Sequence, residues 1–251
     1  MSGAGRKLLG YAGAVAVLLA GWHVLAIVLS SPALPTPATA LSEFARTFAS
    51  DLAPHLALST WRVLAAIVLG TVLAAPLGLV LGRAPRADAV AAPLIFLTYP
   101  VPKVVFLPVL LVLLGLGDAS KIVLITLIVF FQILVTARDA ARQIPAGSVL
   151  SVRSLGADRV QVFRHVVVPA ALPDIFTALR IGTGTAVAVL FLAESIAGTD
   201  GLGYYIVDSW GRIDYSAMFA GILGMALLGV LLYELLDALE SRLCRWTRAG
   251  R

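Results

Sequence analysis

Six stretches of this 251-residue chain are candidates to cross a bilayer as helices: residues 8–29, 63–81, 89–116, 122–137, 175–197 and 216–239. A hydrocarbon core of about 30 Å is spanned by about 20 helical residues. Inside it every backbone N–H and C=O must find a partner within the protein, so a chain built of such runs folds as a helical bundle. Composition agrees. Only 13% of residues are charged, against about 25% in soluble domains. The net charge of +5 is read as loop charge in a multi-span protein, not as a nucleic-acid surface. The one cysteine, Cys244, excludes an intrachain disulfide and a cysteine-based metal cluster. His23, His55 and His165 lie far apart and lack metal-ligand spacing.

The first run follows Arg6 and Lys7 and precedes "ATA" at 38–40, which imitates a signal peptide. It is longer than the roughly 7–15 apolar residues such peptides carry, so it is read as a retained helix. Pro32, Pro35 and Pro37 predict an extended linker after it. The third run holds Pro93, Pro100, Pro102 and Pro108. The fourth is short, with Lys121 and Arg138 placed to snorkel from its ends. Arg138, Asp139 and Arg142 are expected to be solvated. Gly182 and Gly184 suggest close helix packing in the fifth run. With the N-terminus in the cytoplasm, fourteen of the nineteen basic residues face that side. Only Arg46, Arg62, Lys103, Lys121 and Arg212 do not. Both termini are therefore expected in the cytoplasm.

That orientation places "SVRSLGADRVQVFRHVVVPAALPDIFTALR" (151–180) in the cytoplasm. Val149, Val152 and Leu155 share one helical face, and Val160, Phe163 and Val167 share another. Gly156 separates the two pieces, as a C-cap in left-handed geometry would. Asp158 opens the second piece, Arg164 and His165 close it, and Pro169 and Pro173 are expected to stop it. Physics alone leaves two readings: a pair of interfacial helices on anionic lipid, or a knob for a cytoplasmic partner.

The same segment resembles the signature loop of bacterial ABC importer permeases, E-A-A-x3-G-x9-I-x-L-P. Gly156 fits its glycine, Val166 its isoleucine, Val168 its leucine and Pro169 its proline. Leu150 stands where the pattern has glutamate. "YPVPKVVFLPVLLVLLGLGDASK" (99–121), "AESIAGTDGLGYYI" (193–206) and "GRIDYSAMFAGILGMALLGVLLYELLDALE" (211–240) are similar to later parts of the nitrate, sulfonate and taurine branch. The resemblance implies an all-α integral membrane protein of six transmembrane helices. Its fold would be the methionine-permease-like type I importer fold with cytoplasmic coupling helices, in the bacterial inner membrane.

It further implies an N-terminal helix and linker over 1–54, a permease domain over 55–241 with a coupling loop at 145–170, and a basic tail at 242–251. Gly156, Ala157, Val160, Phe163, Arg164, Val166, Val168 and Pro169 would meet the ATPase. The implied partners are cytoplasmic ABC ATPase subunits, a periplasmic or lipid-anchored substrate-binding protein and a second permease copy. The implied cargo is a small anion such as an aliphatic sulfonate, taurine or nitrate. No cofactor is expected in this chain, with ATP and magnesium held by the ATPase. In keeping with that, there is no G-x-x-x-x-G-K-[ST], and the lookalike at 115–121 has Ser120 where a glycine is needed.

Two intramembrane charges need an explanation. A cation at the depth of Lys103 costs about 2.5–3.5 kcal/mol on insertion scales. It either satisfies the carbonyls freed by Pro100 and Pro102, or lines the pathway with Pro102 and attracts an anion. Glu194, in the outer part of the fifth run, is a possible partner for Lys103. A membrane enzyme would need more clustered titratable groups than these. A self-contained secondary transporter would show an internal repeat, and none is evident.

Overall fold

The computed structural model describes residues 3–248. Arg251 lies outside the described residues, as do the side chains of Arg6, Lys7 and Arg248. Apart from short connections the described part is helical, with eleven α-helices in the order α1 (Gly3–Leu29), α2 (Pro37–Thr47), α3 (Ala53–Arg83), α4 (Pro85–Thr98), α5 (Leu107–Leu114), α6 (Asp118–Gln143), α7 (Ala146–Ser154), α8 (Arg159–Val162), α9 (Val168–Ala197), α10 (Leu202–Gly211) and α11 (Tyr215–Leu243). Five helical runs are long and apolar enough to span a membrane, and six if the bent α4–α5 pair counts as one.

The centre is α3 packed along α6, with α9 closing over both. A seam of small residues lets α3 approach: Gly70, Ala74, Gly78 and Gly82 recur every fourth residue and are buried or half-buried on one face. A β-carbon on Gly78 would lie 2.5 Å from the Leu134 carbonyl, and one on Gly82 2.3 Å from that of Arg138. The backbones touch there. Of the glycines expected to pack tightly, Gly182 faces the Gln132 side chain, but a β-carbon on Gly184 would meet no other part of the protein within 4 Å.

Three expectations are corrected. The segment after α1 is not an extended linker. Thr36 caps a helix whose first residue is Pro37, a position where the missing N–H costs nothing. This helix continues through a π turn at Phe48–Leu52 into α3, making one run of 47 residues. That is about 70 Å of helix, more than twice the hydrocarbon core, so its first part stands outside and packs on the start of α11. The third span is not continuous: α4 ends at Thr98 and the chain bends by 80° before α5. Nor does Pro169 or Pro173 stop the loop helix. Residues Arg159–Ala197 form one 39-residue run through a π turn at Phe163–Val167. Pro169 follows the π turn directly, where the regular hydrogen-bond ladder is already interrupted.

The fourth-span charges also differ from expectation. Lys121 does not snorkel. It is 1% exposed and donates to the Leu116 carbonyl at 3.0 Å. Arg138 is paired, not solvated: it grips the Asp88 carboxylate through Nε and through Nη2 at 2.9 Å. This ties the first turn of α4 to the end of α6, with Arg142 3.4 Å from the same carboxylate.

Candidate functional sites of a transmembrane subunit

The loop at 145–170 forms as its residues dictate. Gly156 has φ +90, and no neighbour lies within 4 Å of its missing β-carbon. Its requirement is therefore conformational, not steric. Its N–H donates to Arg153 and that of Ala157 to Val152, so α7 closes in a Schellman pattern. Asp158 then starts α8 in a capping box: its carboxylate accepts from the Gln161 N–H at 2.8 Å, and the Gln161 side chain accepts from the Asp158 N–H at 2.9 Å.

The two expected apolar faces are each divided. Val149, Val162 and Val167 are buried, Val167 in the core of the bundle, and Phe163 is half-buried. Leu150, Leu155 and Val160 point away at 69%, 87% and 73% exposure. Ala157, Val166 and Val168 are half-buried, Pro169 partly so, and Arg164 is exposed.

At the bend of the third span, the Lys103 ammonium donates to the Thr98 carbonyl at 2.8 Å and to the Tyr99 carbonyl. It also lies 4.5 Å from the centroid of the Phe131 ring. An ammonium has three donors. Two hold the broken helix end, and the group borders a cavity of about 310 Å³ lined by Pro102, Phe131 and Gln132. The Gln132 Oε1 is buried without a hydrogen-bond partner.

Glu194 does not meet Lys103. It lies at the far end of α9 with no exposure and accepts from three donors elsewhere. Arg62 Nη1 donates to its Oε1 at 2.8 Å. The Ser59 hydroxyl lies 2.9 Å from both its oxygens, and the Gly203 N–H donates at 2.9 Å. The chain at 198–203 wraps this carboxylate so closely that a β-carbon on Gly201 would sit 2.3 Å from it. Arg62, itself 1% exposed, also binds Asp118 at 2.6 Å and Asp200 at 2.5 Å. His55 Nδ1 accepts from the Gly201 N–H at 3.0 Å. One guanidinium thus joins α3, the start of α6, the end of α9 and the turn before α10. Burial opposes ionisation of Asp200, but the Arg62 hydrogen bond and charge, helped by Lys121 and His55, hold its carboxyl below the usual range.

A concavity of about 690 Å³ runs between α9 and α11 and is almost wholly apolar. Arg180 stands at its end, paired with Asp237 at 2.9 Å and Glu240 at 2.6 Å. No group of three or more metal-ligating side chains occurs among the described residues.

Residues 66–245 match the family described as the inner membrane component of binding-protein-dependent transport systems. The chain belongs to this family. It is a multi-pass inner-membrane permease, the transmembrane subunit of an ABC importer and not an enzyme. Such permeases work with ATPase subunits and a substrate-binding protein. The permease is 34% identical to the taurine transport system permease protein TauC of Escherichia coli, over 93% of this chain and 88% of that protein. It is 31% identical to a putative aliphatic sulfonates transport permease protein, SsuC, of Bacillus subtilis, over 96% of this chain and 90% of that one. In fold it is similar to a solved chain of the MetNI methionine ABC transporter in an inward-facing conformation. The TM-score there is 0.60 at 22% identity, covering 77% of this chain and 94% of that chain.

Sequence reasoning named Lys103, Pro102, Glu194 and the loop, but not Arg62, Ser59, Asp118 or Asp200. The signal was present: Arg62 is a lone charge on the approach to an apolar run. Starting the span at Val63 set it aside, whereas the helix runs from Ala53.

Proposed function

We propose that this permease imports a small sulfonate, taurine or an alkanesulfonate, and that nitrate is the nearest competing anion. A homodimer forms the pathway, and both termini of each copy lie in the cytoplasm. ATP and magnesium are held by the separate ATPase. The loop at 145–170 docks on that ATPase and passes its closing motion to α9. Differential contact of the loop with the two ATPase states supplies the drive, since a partner that binds both states equally shifts nothing.

The observation that carries the substrate class is Lys103. A lysine in an apolar span is costly unless something there uses it. Two donors fix the bend, and its third remains for an anion in the cavity beside Phe131. The names of the taurine and sulfonate relatives point the same way.

The test is reconstitution in proteoliposomes with the cognate ATPase and binding protein. Taurine or an alkanesulfonate should accumulate inside and stimulate ATP hydrolysis. Stimulation by uncharged or cationic solutes alone would sink the anion reading. Transport without any ATPase would sink the docking reading as well.

A further inference from the structure

Arg83, Arg153 and Arg159 come from three separate elements, the end of α3, the end of α7 and the start of α8. Together they border one cavity of about 260 Å³ floored by Val162 and Phe163. No carboxylate lies within ion-pair distance of any of the three among the described residues. The nearest acid in sequence, Asp158, has an oxygen committed to the Gln161 N–H. Arg83 makes one long contact, 3.4 Å to the Ala141 carbonyl, and its remaining donors are unspent. Leu150 occupies the position where a loop glutamate would have supplied a negative charge.

Leu155 and Val160, the most exposed apolar side chains of the loop, follow Arg153 and Arg159 in the chain by two residues and one. A protein surface that covers this loop also removes water from the three guanidinium groups. Dehydrated cations without a counter-charge are strongly unfavourable, so the covering surface must bring a negative group with it. Guanidinium groups from several directions suit a carboxylate, which accepts two parallel hydrogen bonds from one of them and keeps lone pairs for another.

We infer that Arg83, Arg153 and Arg159 form a receptor for an aspartate or glutamate side chain of the ATPase subunit that docks on this loop. The inference rests on the docking reading given above. It adds that the contact is electrostatically polarised, basic on the permease and acidic on the ATPase.

The test uses the whole transporter, purified with its own ATPase. In Arg153→Ala/Arg159→Ala the ATPase should dissociate at least about tenfold more readily. The steep weakening of wild-type assembly with salt should flatten. An acidic-to-basic change on the ATPase should restore assembly to Arg153→Glu/Arg159→Glu. Leu155→Asp tests docking by itself. If Leu155→Asp releases the ATPase while the double arginine variant keeps wild-type affinity and salt response, the receptor is refuted and docking stands. If Leu155→Asp also retains the ATPase, both are refuted. If the arginine variant loses activity only in anionic-lipid vesicles and not in neutral ones, the pocket serves a headgroup and the inference falls.

Discussion

Arg62 Nη1 lies 2.8 Å from Glu194 Oε1, and neither side chain reaches solvent. The pair bridges 132 residues of sequence and fixes the far ends of α3 and α9 to each other. A buried pair of this kind adds little over an apolar replacement of both partners, yet breaking it from one side costs about 3–5 kcal/mol. Arg62→Met should therefore be the more damaging single change, because it orphans Glu194 while also releasing Asp118 and Asp200. Glu194→Gln should be milder, since an amide still accepts from Ser59 and the Gly203 N–H. Thermal unfolding in detergent of the two single variants and the double checks this. Equal losses would contradict the shared-cation geometry.

Acid should loosen the same cluster. The Asp200 carboxyl is held below its ordinary value. Its contribution to stability is therefore present above the unfolded pKa, near about 4. It is lost as pH falls through the lower native value. Melting temperature followed from neutral pH down to about 3 should fall less steeply in Asp200→Asn than in the parent chain. Parallel curves would refute the assignment.

The α3–α6 seam gives a contrast between glycines. Gly82→Ala drives a β-carbon into the Arg138 carbonyl and should cost about 1–3 kcal/mol, as overpacking does. Gly184→Ala meets nothing and should leave the melting temperature unchanged or slightly raised, given alanine's better helix propensity.

Gly156 should tolerate no ordinary side chain well. Alanine in this backbone region is disfavoured by about 1–2 kcal/mol. Proline additionally removes the N–H that closes on Arg153. ATPase stimulation by the loaded binding protein should weaken in Gly156→Ala and vanish in Gly156→Pro, with membrane insertion intact in both. Normal stimulation in Gly156→Pro would refute the coupling role.

Lys103→Met should raise the KM for sulfonate uptake and also loosen the bend that the ammonium holds. Lys103→Arg keeps the charge with a different fork and should recover part of the uptake. If both variants transport normally, Lys103 is neither an anion contact nor a needed cap.

The spans and the loop were legible because their signals are local. Apolar run length, a glycine between two periodic pieces and an aspartate at the start of the second each reside in one stretch of chain. Glu194 stood out as an intramembrane acid, but its partner did not. Pairing across 132 residues is a property of how α3 and α9 meet, and no periodicity encodes it. The division of each loop face was hidden for the same reason. Val160 and Val167 fall on one expected face and are equally apolar, and only the bundle behind them decides that one is exposed and the other buried. The seam of Gly70, Ala74, Gly78 and Gly82 is readable as a four-residue repeat, but in a chain this rich in alanine and glycine it does not stand apart.

The unbroken run from Arg159 to Ala197 makes a lever of the fifth span. It is about 58 Å long by helical rise, with the exposed Val160 near one end and the locked Glu194 near the other. Its compliance is concentrated near the loop. There the π turn at Phe163–Val167 interrupts the regular ladder, and Pro169 and Pro173 each omit a donor. A push on Val160 is therefore divided between flexion at that joint and rotation of the whole arm about its pinned far end. Stiffness at Phe163–Pro173 sets the ratio.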